Sequence, residues 1–336
     1  MTDWEEVLER AAAWSEAGLG VAVATVASTW GSAPRPAGSH LAVNDRGEFV
    51  GSVSGGCIEA AVVGEALSAM RDGKARRLRY GVSDERAWEL GLACGGTVEV
   101  HLEPGARREL YAELRRDLEA RRPVVMATNL ETGAARLVHP FEAAGTDPLA
   151  EAARDAAARD QTGTVPTADG EVLLRAYNPP VRVFVVGAVH VAQPLSQMVK
   201  LAGHDVLVVD PRRSFATGDR FPGVALSQEY PDEAFERVGL DRRSAVVALT
   251  HDPKIDEPAL AAALRSEAFY LGALGSRKTQ AARRERLARQ GFSPSQLDRI
   301  HGPVGLPIGA VTPGEIATAI LAEMVACLRP AKRKDG

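Results

Sequence analysis

VRVFVVGAVHVAQPLSQMVKLAGHDVLVVD, residues 181–210, reads as strand, turn, helix and strand. Val181 to Val186 is a run rich in β-branched residues, the mark of a strand buried on both faces. Gly187 to Ala192 spans the strand-to-helix turn, Gly203 closes the helix after Leu201, and Asp205 to Asp210 is the next strand. A βαβ unit ending on an acidic residue about twenty positions past its glycine turn has the layout of a dinucleotide-binding fold, with Gly187 and Asp210 as candidate cofactor contacts. The fingerprint is altered, because Val189 stands where a second glycine would admit a pyrophosphate. NAD(P) binding is therefore disfavoured while the fold is not. Residues 181–330 are expected to form a Rossmann-like domain with a parallel sheet.

Two further strands follow, Ser244 to Thr250 and Phe269 to Leu274. In an open parallel sheet, ligands collect at the carboxyl ends of strands. The first ends at His251-Asp252-Pro253, where His251 is a candidate base or metal ligand, against the plainer reading of a hydrogen-bonding turn residue. The second ends at Gly275-Ser276-Arg277. Backbone N–H groups there with the Arg277 guanidinium suit a phosphate, and Ser276 equally suits a simple helix N-cap. Thr312, Pro313 and Glu315 open the last helix as a capping box. Cys327, near Ile320, Met324 and Leu328, reads as core. The basic run Arg283 to Arg289 reads as a solvated helix face.

Residues 1–178 have a different periodicity and end at Asn178-Pro179-Pro180, which marks the domain boundary. They are expected to form an α+β domain. Thr2 and Glu5 open its first helix, Val21 to Ser28 is a buried strand, and His40 to Asn44 pairs with Glu48 to Val53 as a hairpin. Between them lies Trp30 to Ser39, a loop stiffened by Pro34 and Pro36, with Arg35 available for an anion. The stretch Gly51-Ser52-Val53-Ser54-Gly55-Gly56-Cys57-Ile58-Glu59 runs from strand to helix. Ser54, Gly55 and Gly56 deliver Cys57 to the helix N-terminus, where free N–H groups and the helix dipole favour a thiolate. The competing reading is a small buried cysteine. Glu59 serves as a proton acceptor or as a stabiliser of the helix start, the latter being the simpler role. A strand from Arg76 to Val82 and a short helix from Ser83 or Asp84 lead to Cys94-Gly95-Gly96, before the strand Thr97 to Leu102. Neither cysteine has metal-site spacing, so a structural zinc is not expected.

The chain has 336 residues, 45% hydrophobic and 25% charged, with net charge −4. That length suffices for two cores. The mild acidity leaves no footprint for nucleic acid. No apolar run is long enough to cross a bilayer, and the N-terminus lacks a signal-peptide pattern, so a cytoplasmic location with reduced thiols is expected. Three cysteines do not make a disulfide framework.

The stretches GSAPRPAG, GSVSGGCIEAAV, ACGGTVEV, VFVVGAVHVA, VVDPR, LTHDPKIDEPAL, YLGALGSRKT and GLPIGAVTPGEIA together resemble the XdhC/CoxI family of accessory proteins. The resemblance implies binding of molybdenum cofactor in its molybdopterin form, support for its sulfuration, and delivery to an apo-molybdenum hydroxylase of the xanthine dehydrogenase type. It also implies a cysteine desulfurase as sulfur donor. His190 matches the family's turn histidine, although Val189 replaces the glycine before it. In that setting Cys57 and Cys94 are candidate thiols for a soft metal centre. Arg35 or the Gly275-Ser276-Arg277 turn would take the phosphate. A maturation factor is favoured over an enzyme, and a homodimer around one ligand suits a carrier. The alternatives are an NAD(P)-dependent oxidoreductase with His251 as acid–base, and a scaffold that docks hydroxylase and desulfurase without touching cofactor.

Overall fold

The computed structural model describes residues 3–31, 34–81, 96–142 and 147–329. The chain divides into two compact units, Met1–Pro179 and Pro180–Gly336.

In the first unit, β1 (Val21–Trp30), β2 (His40–Asn44), β3 (Phe49–Gly51), β4 (Arg76–Gly81) and β5 (Thr97–Pro104) form an antiparallel sheet in the order β3-β2-β1-β5-β4. Alternation sends Ala22, Ala24 and Val26 to one face, where Val62, Ala66 and Ala69 of α2 (Glu59–Asp72) cover them. Val21 and Val23 point the other way, onto Val7, Leu8 and Ala11 of α1 (Asp3–Glu16) and Tyr111 and Leu114 of α3 (Arg108–Glu119). Each fully buried valine or leucine among them contributes about 1.5–3 kcal/mol. The β1–β5 register shifts between Val26 and Ser28, so Ala27 is an inserted residue; it packs with Leu130 and Leu173.

A second sheet has the order β7-β6-β9-β8, from β6 (Val124–Asn129), β7 (Ala135–Val138), β8 (Thr162–Thr167) and β9 (Gly170–Tyr177), with α4 (Ala150–Ala158) against it. Strand β8 is absent from the sequence reading because Gly163 and Pro166 argue against a strand. It survives as an edge strand, the place where proline is tolerated.

The pairings Thr25–His40, Leu41–Gly51 and Trp30–Thr97 fix which end of the first sheet is which. The Pro34–Ser39 segment, the Ser52–Ile58 loop and the first residues of β5 all lie at one end. Trp30, 78% exposed, stands there too.

The second unit is Rossmann-like, as the opening stretch requires. β10 (Arg182–Val186), β11 (Asp205–Val209), β12 (Ala225–Ser227), β13 (Ser244–Ala248), β14 (Tyr270–Ala273) and β15 (Ile300–His301) form a parallel sheet ordered β12-β11-β10-β13-β14-β15. The order reverses between β10 and β13, which is where such sheets open a crevice at their carboxyl ends. One face packs α5 (Ala192–Leu201) and α9 (Pro313–Leu328). The other packs α6 (Pro231–Val238), α7 (Pro253–Arg265) and α8 (Arg277–Arg289). Among the described residues no helix is long and apolar enough to cross a membrane.

Candidate functional site

Glu59, on the first turn of α2, folds the loop before it. Its Oε1 accepts from Ser52 Oγ at 2.6 Å, Val53 N at 3.1 Å and Ser54 N at 2.9 Å. Its Oε2 accepts from Ser54 Oγ at 2.5 Å and Gly56 N at 2.9 Å. Burial alone would raise its pKa, but the Ser52 and Ser54 hydroxyls and the Ser54 N–H outweigh that and hold it at about 2. Glu59 is therefore an ionised organiser of the loop, in keeping with a stabiliser of the helix start.

Ser54 Oγ in turn accepts from Cys57 N at 3.1 Å and Ile58 N at 3.0 Å. This corrects one expectation: the N–H groups around Cys57 are committed to Ser54 and Glu59 and are not free for its sulfur. The side chain of Cys57 is exposed, so the buried-core reading does not hold. Gly55 has φ 82°, and a Cβ there would stand 3.3 Å from Pro34, so the glycine lets the Pro34–Pro36 segment close on the thiol loop. Arg35 is half-buried on that segment. Cys94 and the short helix expected from Ser83 or Asp84 lie outside the described residues.

In the second unit, a carboxylate organises the loop after β13 in the same manner. Asp256 Oδ1 accepts from Thr250 Oγ1 at 2.7 Å and Thr250 N at 3.1 Å, and Oδ2 from His251 N at 3.1 Å. Here burial dominates and raises the pKa, opposed by the Thr250 hydrogen bonds and by Arg283. The outcome is a left-handed backbone at His251 (φ 63°) and an exposed imidazole at the crevice end of the sheet. His190 is also exposed, after β10.

Asp210 is fully buried and engaged. Its Oδ2 accepts from Ala188 N at 2.8 Å and Arg212 Nη2 at 2.7 Å, and its Oδ1 from Arg212 Nε at 2.9 Å. Burial would raise its pKa, but the Arg212 bonds and the Ala188 N–H bring it down. A ribose would have to displace Arg212 to reach this carboxylate. Gly187 (φ 105°) packs against Thr250, where a Cβ would clash. Ser276 caps α8 by accepting from Thr279 N at 3.2 Å, and Arg277 is exposed.

Two readings need correction. Arg283 is not on a solvated face: it is 3% exposed, donating to Gln280 Oε1 at 2.7 Å and to the Leu274 carbonyl at 3.0 Å. Its neighbours are tied down as well, Arg284 to Asp298 and Arg286 to Glu257. Cys327 is only at the rim of the core, its Sγ 3.7 Å from His301 Nε2. Glu323 lies 3.4 Å from the other ring nitrogen and accepts from Tyr270 Oη at 2.5 Å. Burial and then Glu323 push the Cys327 thiol up, keeping it protonated. Among the described residues, Glu113, Asp117 and His139 bring ligand atoms within 4.8 Å of one another. Asp117 already holds His139 at 2.8 Å and the Arg122 guanidinium at 2.5 Å, so the place for an ion carries a cation.

Together these features define a two-domain α/β protein that presents a thiol on an organised loop and carries a Rossmann-like unit with an altered turn. Residues 14–81 match the XdhC and CoxI family, and residues 183–324 match the XdhC Rossmann domain. The molybdenum cofactor insertion chaperone PaoD of Escherichia coli is 31% identical over 95% of this chain and 86% of its own length. A Bacillus subtilis protein described as a probable xanthine dehydrogenase subunit is 28% identical over 90% of this chain and 92% of its own. A crystal structure named xanthine dehydrogenase, from Bacillus halodurans, has the same fold, with TM-score 0.68, 24% identity and coverage of 100% and 98%. The chain belongs to the XdhC and CoxI family.

Proposed function

We propose that this chain is an accessory protein of molybdenum hydroxylase maturation, acting in the cytoplasm. It binds molybdenum cofactor, supports exchange of an oxo ligand for sulfur supplied by a cysteine desulfurase, and hands the product to an apo-hydroxylase of the xanthine dehydrogenase type. The observation that carries this reading is Cys57: an exposed thiol on a loop fixed by an ionised carboxylate. It stands at the sheet end that also bears the Arg35 segment and the entry to β5, just after Cys94 in sequence. A soft sulfur ligand suits a sulfur-rich metal centre. The relative PaoD, named an insertion chaperone for this cofactor, supports the same reading. Hydride transfer is less well supported, because Asp210 is spent on Arg212 and Ala188.

Co-expression of a molybdenum hydroxylase with wild type or Cys57→Ser tests it. The sulfido content and activity of the target should fall about tenfold or more with the variant, equivalent to at least about 1.4 kcal/mol. Its melting temperature should stay the same, since an exposed cysteine-to-serine change removes little buried area. Unchanged sulfido content would rule out a role for this thiol. Anaerobic gel filtration with molybdenum cofactor separates carrier from scaffold: a scaffold elutes free of molybdenum and pterin.

A further inference from the structure

Within the first unit, Trp4, the Arg35–Ser39 stretch, His40 and Arg175 line a cavity of about 220 Å³. Among the described residues that line it there is no carboxylate, while two guanidinium-bearing residues, Arg35 and Arg175, are present. Arg175 is half-buried, and all its partners in the described residues are neutral. Its Nε donates to His40 Nε2 at 3.0 Å, its Nη1 lies 3.4 Å from Thr162 Oγ1, and its guanidinium sits 4.6 Å above the Tyr177 ring. A partly buried cation without a counter-charge is costly, and an anion entering beside it relieves that cost.

The surroundings hold the guanidinium still. His40 is buried, its Nδ1 2.9 Å from Thr25 Oγ1 and its Nε2 3.0 Å from Tyr177 Oη. Burial, and then the charge of Arg175, keep its pKa well below the ordinary histidine value, so the neutral ring retains a lone pair for Arg175. Trp4 meets the Tyr177 ring edge-on at 4.9 Å. Gly38 has φ 89°, and any Cβ there would overlap the guanidinium, so glycine is what gives Arg175 its place. A planar fork fixed in this way matches a phosphoryl group bidentately.

Size decides how much of a ligand enters. Whole small-molecule pockets run to about 300–1,000 Å³, so this smaller space takes a head group and leaves the remainder outside. We infer that the cavity receives the phosphoryl head of a phosphate monoester. If the chain carries molybdenum cofactor as proposed, that monoester is the cofactor's terminal phosphate; the anion site itself does not depend on that assignment.

Isothermal titration of the full chain with phenyl phosphate, inorganic phosphate and benzoate tests the inference. Phenyl phosphate should bind about tenfold more tightly than benzoate, and Arg175→Gln should weaken it about tenfold or more. Arg175→Lys should lie between, because it keeps the charge and loses the fork; it decides the matter should the glutamine variant fail to fold by circular dichroism. Absence of phosphate binding at millimolar concentration, or equal binding by wild type and both variants, overturns the site. If phosphate binding is lost in Arg175→Gln while molybdenum cofactor still co-elutes with it, the anion site stands and its assignment to the cofactor falls.

Discussion

Glu59 accepts from the backbone of Val53, Ser54 and Gly56, and Asp256 from that of Thr250 and His251. Both carboxylates tie the loop before a helix to its first turns, yet they respond to acid in opposite directions. Glu59 falls from 4.5 to about 2 on folding, so its stabilisation is complete above pH 4.5 and is lost as pH falls toward 2. Asp256 is raised by burial, so its favourable share is complete below 3.8 and is lost as pH rises through its folded value. Urea unfolding between about pH 2.5 and 7 should show this by difference. The gap between wild type and Glu59→Gln should widen with rising pH, reaching about 1–3 kcal/mol, the cost of leaving buried donors unsatisfied. The gap for Asp256→Asn should narrow over the same range. Parallel profiles would contradict both assignments.

At the scale of elements, the strand β3 ends where the chain must press backbone against backbone. Gly51 has φ 88°, and a Cβ there would overlap the His40 carbonyl and crowd Val7. Gly73, the C-cap of α2, has φ 71° with open space around it. Gly73→Ala should therefore cost about 1 kcal/mol of left-handed strain. Gly51→Ala should cost about 2–5 kcal/mol, strain plus overpacking, in the same urea titration. Equal penalties would show that the β2–β3 edge gives way more easily than this packing allows. Local signals made many elements legible: the Val181–Val186 run, the capping box of Thr312 and Glu315, and the Ser276 cap all act within a few residues. Arg283 was not legible, because the carbonyl and amide that satisfy it come from tertiary packing.

Across the whole molecule, the same distinction governs the candidate sites. The Cys57 loop could be found from its glycines and its helix. The Arg175 cavity could not, since its His40 partner is 135 residues away and no spacing rule joins them. Each unit also keeps its own core. Among the described residues, the clusters around Val185 and Phe184 draw on residues from Val181 to Leu328, and those around Val23 and Ala24 on the first unit. A fragment of residues 180–329 should accordingly unfold as a single cooperative transition in calorimetry, with calorimetric and van't Hoff enthalpies equal. A broad, non-cooperative melt would show that its core depends on the first unit.

The insertion at Ala27 has one more effect. Side chains along a strand alternate with a period of two, so one additional residue exchanges odd for even from there onward. Ser28, bonded to Glu99 at 3.0 Å, and Trp30, opposite Thr97, emerge on the side of the sheet away from α2. A strand of unchanged length paired without that bulge would carry Trp30 on the parity of Ala24 and Val26, toward the helix. The bulge thus selects which side of the sheet exposes the indole at that rim.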